Sequence, residues 1–203
     1  MTTVADLVDL FETEANRDRP SEATPDVGII MGSDSDLDVM AGAHEALTDL
    51  GFEEVTDYDD APAGYSFESW VVSAHRTPDL MYAYAETAAE RGLDVIIAGA
   101  GGKSADLPNM TASLAYPIPV VGVPVQEKSV DSVIGMPKGA PITAVDAGKS
   151  YNAGLSAAQF LATDDPELAA ELQALHDRQR DGVADVSLAL HERGTPGFRA
   201  SRD

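Results

Sequence analysis

The sequence contains no cysteine among its 203 residues, and this absence removes several classes of chemistry. Disulfide frameworks, thiolate nucleophiles and cysteine-ligated metal centres all need a residue that the chain lacks. No apolar run approaches the roughly 18 residues that a membrane-spanning helix requires. The N-terminal stretch MTTVADLVDLFETE is acidic, unlike the basic start of a secretion signal. These features predict a cytoplasmic protein with no membrane partner.

Basic residues are also scarce. The chain has 13 lysines and arginines against 35 aspartates and glutamates, and its formal net charge at pH 7 is -22. Nucleic acid is therefore not a predicted partner, because no basic patch is available to neutralise phosphates. The acidic residues are spread along the chain rather than gathered in one tail. An evenly acidic surface with only four lysines suits a cytoplasm at very high salt.

Apolar strand patterns alternate with helical patterns from Asp26 onward. The strand patterns are VGIIM, WVVSA, DVIIAGA, PVVGVPV and ITAVDA. Strands alternating with helices of ten or so residues predict right-handed βαβ units and a parallel sheet. The strands are apolar almost throughout, which indicates a sheet covered by helices on both faces.

The chain divides into three predicted parts. Residues 1–25 are an N-terminal appendage and linker, in which one face of a short helix carries Val4, Leu7, Leu10 and Phe11. Residues 26–163 form the α/β domain, with 56–68 as an acidic surface loop. Residues 164–203 are a C-terminal helix and tail, helical over 166–193 with a weak point at Gly182. This helix is predicted to pack on a neighbouring subunit or on its own domain.

Short polar or glycine-rich segments follow the first four predicted strands. These segments are Gly32–Asp36, Ser73–Arg76, Ala98–Ser104 and Pro124–Gln126. In a parallel sheet the carboxyl ends of the strands meet at one edge, and ligands bind there where the strand order reverses. Hydroxyl groups, a guanidinium and the N-termini of helices at that edge favour an anion, most simply a phosphate.

Three ligand-binding motifs fit the sequence poorly. The stretch GGKS is not a P-loop, because Ile97 stands where the first glycine is required. A dinucleotide pattern that begins at Gly99 meets Ser104 at its last glycine position. The stretch DSDLD has the acidic spacing of a calcium loop, but Val39 replaces the sharp-turn glycine. The sequence therefore predicts no metal site.

Individual residues of these segments also have structural interpretations. Ser33 to Asp36 could cap the first helix of the domain, and His75 could be a loop histidine with locally satisfied hydrogen bonds. The remaining histidines lie in helical patterns and are predicted to be surface or packing residues: His44, His176 and His191. The convergence of four strand ends on one edge favours a functional site over these local interpretations.

An ordered set of motifs resembles the PurE family of purine biosynthesis. The motifs are GIIMGSDSDLDVM, VVSAHRTPD, DVIIAGAGGKSADLPNM, PVVGVPVQ and GMPKGAPI, within residues 26–162. The resemblance implies a flavodoxin-like, three-layer α/β/α fold with an added C-terminal helix. It also implies a small ribonucleotide substrate, no metal or organic cofactor, and a homo-oligomer, usually an octamer, with that helix at subunit contacts.

The resemblance assigns roles to residues by their position in the motifs. His75 matches the catalytic histidine, and Asp106 stands where many relatives have histidine. The residues that match the ribotide-binding motifs are Ser33, Asp36, Ser73 and Arg76. The residues that match the loop closing over the base and carboxylate are Ala98, Gly99, Ala100, Gly101 and Gly102.

The activity implied is that of a mutase. It would move the carboxylate of N5-carboxyaminoimidazole ribonucleotide from the exocyclic nitrogen to ring carbon C4. His75 would shuttle the C4 proton, because an imidazole both takes and returns a proton near neutral pH. One alternative is direct carboxylation of aminoimidazole ribonucleotide with CO2 on the same fold. A more distant alternative is a non-catalytic nucleotide-binding module.

The charge pattern predicts a requirement for salt. Because the Debye length falls to about 3 Å at 1 M salt, repulsion among the surface carboxylates is screened and the folded state gains stability. We expect the melting temperature to rise between low and molar KCl in a calorimetric or fluorescence melt. A melting temperature that stays constant or falls over this range would contradict the prediction.

Overall fold

The computed structural model describes residues 2–19 and 23–202, with a parallel sheet of six strands at its centre. The strand order is β2-β3-β1-β4-β5-β6. Without the short edge strand β2, this is the order of flavodoxin-like sheets, so the predicted parallel α/β class is confirmed. The strands are β1 (Val27–Met31), β2 (Glu53–Glu54), β3 (Ser66–Val71), β4 (Val95–Ala100), β5 (Val120–Pro124) and β6 (Thr143–Ala144).

Helices cover both faces of this sheet and complete three layers. Each face has its own cluster of buried apolar side chains between the sheet and its helices. One face carries α1 (Val4–Ala15), α3 (Pro78–Glu86), α4 (Leu107–Leu114) and α5 (Val130–Ile134). The other face carries α2 (Leu37–Asp49), α6 (Ser150–Leu161) and α7 (Pro166–Ala200). The nearly continuous apolar strands therefore reflect burial on both sides.

Strand β3 begins earlier than its apolar pattern predicted. The pattern indicated a strand over 70–74 with 56–68 as a surface loop, but residues 66–68 belong to the strand. Ser66 and Glu68 are polar, yet both are buried. The Ser66 amide donates to the Asp26 carboxylate at 2.7 Å, and Glu68 pairs with Arg91 at 2.6 Å. The loop prediction was wrong for residues 66–68. Their polar side chains do not fit an apolar strand pattern, but partners elsewhere in the chain satisfy their hydrogen bonds and allow them to be buried.

The N-terminal helix α1 shares the hydrophobic core of the main domain. Phe11 is fully buried, with its ring edge-on to Trp70 at 5.1 Å and to Tyr84 at 5.2 Å between ring centroids. The Arg91 guanidinium lies 4.7 Å from the centre of the Phe11 ring. Val4, Leu7 and Val8 are partly buried and pack against the same core cluster, and the predicted Leu10 is also partly buried. Part of the predicted linker, residues 20–22, lies outside the described residues.

The C-terminal helix α7 passes Gly182, its predicted weak point, without a break. It is interrupted at Gly194, where φ is +65°, directly after the predicted end at 193, and a second helical segment follows. Its first turns pack onto the domain through Leu168, Leu172 and Leu175. Further along, Val183 and Val186 are 70% and 53% exposed. Among the described residues, no helix combines the length and hydropathy needed to cross a bilayer.

Candidate active site

A cavity of about 260 Å³ opens at the carboxyl edge of the sheet, between the ends of β1 and β4. This is the point at which the strand order reverses, where ligands bind in open parallel sheets. All four predicted strand-end segments contribute to its wall. The predicted site residues that line it are Ser33, Asp36, Ser73, His75, Ala100, Gly101 and Gly102.

The segment after β1 forms a 3₁₀ turn that leads into α2. Ser33 is the N-cap of this turn, and its hydroxyl accepts a hydrogen bond from the Ser35 amide. Ser33 therefore caps this short turn rather than helix α2 itself, and it also lines the cavity. Asp36 precedes α2 but makes no capping bond with its side chain. Its carboxylate instead faces the glycine loop after β4.

Asp36 is a buried carboxylate at the floor of the cavity, with only 7% of its surface exposed. Burial raises the pKa of its carboxyl above the ordinary value. Hydrogen bonds from the backbone amides of Gly101 and Ser33, and the charge of Arg76, act in the opposite direction on this pKa. Asp36 thus links the β1 turn to the β4 loop and remains an acceptor directed at the cavity.

A tight turn at residues 73–77 presents His75 and Arg76. Thr77 closes the turn, since its amide donates to the Ser73 carbonyl at 3.0 Å. The Ser73 hydroxyl accepts from the Arg76 amide at 3.2 Å. The Arg76 guanidinium donates to the Gly32 carbonyl at 3.0 Å, which places its charge beside the β1 turn, although Arg76 is not one of the residues that line the cavity. The turn therefore separates the two side chains, with the imidazole on the cavity wall and the guanidinium at its edge.

His75 contacts a residue that the predictions did not include. Its Nε2 atom lies 3.0 Å from Oδ2 of Asp106, and 60% of the imidazole surface is exposed. The other Asp106 oxygen accepts from the Ser132 hydroxyl at 2.9 Å. Asp106 also lines the cavity. His75 is therefore held by a specific partner and is not a loop histidine satisfied by its own turn.

Two of the five residues predicted to close over a ligand lie below the cavity. Ala98 is fully buried in the core on the α3 face. Gly99 packs against α2, where a Cβ atom would clash with the Met40 sulfur. Neither residue lines the cavity, because both pack against the helices on the two faces of the sheet, whereas Ala100 at the end of β4 reaches the cavity. Gly102 has a φ of +87°, which favours glycine, so here the loop leaves the strand direction.

Several cavity residues were not among the predicted site residues. Lys128 follows β5 on a 3₁₀ turn, and its ammonium offers a second positive charge to the cavity. No local motif distinguishes Lys128, although its position two residues beyond Gln126 at a strand end is a usable signal. The further lining residues are Gly32, Ser35, Ala74, Ser104, Asp106, Leu107 and Gln126. Hydroxyl, amide and ammonium donors therefore surround much of the cavity.

The arrangement suits a polar, anionic ligand and proton transfer. The ends of α2 and α4 nearest the cavity are their N-termini, where backbone N–H groups favour negative charge. His75 supplies the one imidazole of the cavity wall as the structure describes it. Within the described residues, no group of three histidine, aspartate or glutamate side chains is arranged to hold a metal ion.

Comparison with known proteins identifies the family. The family model described as AIR carboxylase matches residues 26–182. The chain belongs to the AIR carboxylase family. The match spans the whole sheet and the first part of α7, so all the cavity residues lie inside the family domain.

Relatives and a solved structure of this family agree with that membership. N5-carboxyaminoimidazole ribonucleotide mutase of Mycobacterium tuberculosis is 48% identical over 171 residues, which cover 81% of this chain and 90% of the relative. The mutase of Thermotoga maritima is 42% identical over 176 residues, covering 84% and 94%. The crystal structure of Treponema denticola PurE has a TM-score of 0.64 at 22% identity, covering 81% and 97%. At 22% identity this similarity supports the fold of the chain and nothing beyond it.

Replacing Asp36 by asparagine is expected to stabilise the protein at neutral pH. A carboxyl whose pKa is raised on folding costs stability as pH rises from its unfolded value, about 4, through its folded value. Asp36→Asn removes this cost and retains one amide acceptor. Urea unfolding at pH 7 should show a more stable variant, and the difference should shrink as pH falls toward 4.

Asp38→Asn is the matched control for this change. Asp38 carries the same charge on the exposed first turn of α2, where it favours the positive end of the helix dipole. Its substitution should leave stability at pH 7 unchanged or slightly lower. An Asp36→Asn variant less stable than wild type at pH 7 would show that the hydrogen bonds to the carboxylate outweigh its burial.

Proposed function

We infer that this chain is an N5-carboxyaminoimidazole ribonucleotide mutase of de novo purine biosynthesis. The mutases of M. tuberculosis and T. maritima align with it over at least nine-tenths of their own length. The observation that carries the assignment is the cavity at the β1–β4 switch point, where one imidazole faces glycine amides and hydroxyl donors. This is the set of groups that moving a carboxylate on a phosphorylated ribotide requires.

The ribotide part of the substrate needs anion binding on a protein of net charge -22. Arg76, Ser33 and Ser73 stand together at the rim, and Arg76 is oriented by bonds to Gly32 and Ser73. These donors and the α2 N-terminus suit the phosphate. The Asp36 carboxylate suits a ribose hydroxyl, because an ionised carboxylate only accepts hydrogen bonds. Lys128 adds a cation near the cavity.

Carboxylate transfer is a balanced rearrangement. The bond from N5 to the carboxyl carbon breaks, and its electron pair returns to the aminoimidazole as CO2 forms. The nucleophilic C4 then bonds to the same carbon, and the C4 proton passes to His75 to restore the aromatic ring. His75 returns a proton to N5, so no oxidant, reductant or organic cofactor enters the balance. The loop Ala100–Gly102 offers backbone amides to the small carboxyl fragment.

The experiment that tests this function supplies two substrates to the same enzyme. We expect conversion of N5-carboxyaminoimidazole ribonucleotide to the C4-carboxylated product without added bicarbonate, followed by its ultraviolet absorbance. Incubation with aminoimidazole ribonucleotide should give product only at high bicarbonate. Turnover confined to the uncarboxylated ribotide would replace the mutase with the direct carboxylase. Binding without turnover of either would favour a nucleotide-binding module.

His75→Asn should abolish carboxylate transfer while retaining ribotide binding. Asparagine keeps a hydrogen-bonding side chain but cannot carry a proton at neutral pH, so the loss should approach the 10²- to 10⁴-fold typical of general acid–base catalysis. Titration calorimetry with the ribotide should give a Kd near that of wild type. His176→Asn on the exposed surface of α7 is the matched control. Substantial turnover by His75→Asn would remove His75 from the mechanism.

We propose further that the protein assembles as a homo-oligomer, with eight copies expected from the family resemblance. The exposed apolar side chains of α7, Val183, Val186, Leu188 and Leu190, support a contact between copies through this helix. Light scattering in molar KCl should return a multiple of the 21.3 kDa chain mass, and a monomeric mass would contradict the proposal. The cytoplasmic location and the adaptation to salt remain predictions from composition.

A further inference from the structure

The carboxylate of Asp106 lies between two side chains that approach it from different elements. Oδ2 is 3.0 Å from Nε2 of His75, and Oδ1 accepts from the Ser132 hydroxyl at 2.9 Å. His75 belongs to the turn after β3, Asp106 precedes α4, and Ser132 lies in α5. A chain of hydrogen bonds therefore runs from Ser132 through Asp106 to the His75 imidazole on the cavity wall.

Helix capping does not explain the orientation of this carboxylate. Asp106 is the N-cap residue of α4, a position where aspartate ordinarily accepts a bond from an amide of the first turn. Its side chain makes no such bond. Its two carboxylate oxygens instead contact His75 and Ser132. The Asp106 side chain is 35% exposed. The Asp106 carboxylate therefore contacts His75 in place of a capping bond to α4.

Ser132, the third residue of this hydrogen-bonded chain, is itself held in place. The Asn109 side-chain amide donates to the Ser132 carbonyl at 2.8 Å, which ties α5 to α4. A serine hydroxyl beside a carboxylate donates its proton, because an ionised carboxylate has none to give. Ser132 therefore determines which Asp106 oxygen remains for His75.

The chemistry of the pair determines where the imidazole proton lies. An ionised carboxylate only accepts, so the 3.0 Å contact requires the proton on Nε2. In a neutral imidazole the other nitrogen, Nδ1, then carries the free lone pair. We propose that Asp106 is a positioning residue that keeps His75 as the Nε2–H tautomer, so that Nδ1 is the atom that takes the C4 proton. This inference rests on the proposed mutase function.

One consequence concerns the path of the proton. Because the Nε2 proton is committed to Asp106, the proton taken from C4 enters and leaves through the same atom, Nδ1. The imidazolium formed between these steps lies beside the Asp106 carboxylate, which opposes its charge. The substrate must therefore bring both C4 and N5 within reach of Nδ1 while the ring stays in place.

Asp106→Asn tests the tautomer without a change in size. Ser132 would continue to donate to the amide oxygen, so the amide NH₂ would face Nε2 and donate to it. We then expect the His75 proton to move to Nδ1, which leaves the wrong nitrogen as the base. The kcat should fall by about 10- to 100-fold, less than the 10²- to 10⁴-fold that general acid–base catalysis supplies because the imidazole is still present, while KM changes less than about threefold.

Ring ¹⁵N shifts give a readout that a purely structural role would not move. The full-length wild type, labelled with ¹⁵N-histidine and held at alkaline pH so that the imidazoles are neutral, should show His75 protonated at Nε2. His75→Asn assigns the signal among the four histidines. In Asp106→Asn the pattern should shift to protonation at Nδ1. Ser132→Ala frees the carboxylate orientation and should lower kcat less than Asp106→Asn does.

Asp131→Asn is the matched control, because it removes the same charge from an exposed position beside Ser132. It should leave both the ring shifts and kcat at the wild-type values. A wild-type His75 protonated at Nδ1, or an Asp106→Asn variant with unchanged ring shifts or unchanged kcat, would overturn the inference. A wild-type enzyme with no mutase activity would overturn the proposed function instead. The ring shifts would still show whether His75 donates a hydrogen bond from Nε2 to Asp106.

Discussion

The pairing of β1 with β4 positions the rest of the site. The two strands run in register from Val27 with Val95 to Met31 with Gly99, and the Gly32 amide extends the pairing by a bond of 3.0 Å to the Gly99 carbonyl. Strand order reverses here, so the helices that follow, α2 and α4, leave toward opposite faces of the sheet. The crevice that this divergence opens holds Asp36 on one side and the glycine loop on the other. The positions of the cavity residues at this edge depend on that backbone register.

The strongly acidic chain makes binding of an anion an electrostatic problem. A net charge of -22 repels a phosphorylated ligand at long range, although salt screens that field. At short range the cavity presents donors: hydroxyl groups, backbone amides, and Arg76 and Lys128 near its wall. The two carboxylates among the described lining residues have partners of their own: Asp36 accepts from backbone amides, and Asp106 contacts His75 and the Ser132 hydroxyl. Under the proposed function, the local hydrogen-bond donors would have to outweigh the overall field for a negatively charged ligand to bind.

Segments that appear peripheral in the sequence are built into the core. Arg91 is almost fully buried, pairs with Glu68 of β3, and lies against the rings of Phe11 and Tyr84. The acidic loop contributes Tyr58, whose hydroxyl donates to Glu68. Breaking such a buried pair leaves an uncompensated charge, so α1, the loop and α3 depend on one another. The N-terminal helix therefore shares a buried cluster with the sheet.

The sequence by itself determined the features that repeat along the chain. Continuous apolar strands, glycines at helix ends and helical spacing are local patterns, and they predicted the parallel sheet and the strand ends that carry Ser33, His75 and Gly101. The start of β3 was not predicted, because Ser66 and Glu68 are buried against partners that lie far from them in the sequence. Which loop residues face the cavity was also decided by the tertiary structure, since strand direction turns Ala98 toward the core. The contact of His75 with Asp106 joins residues from different elements, and only the packing of α4 and α5 against the β3 turn brings them together.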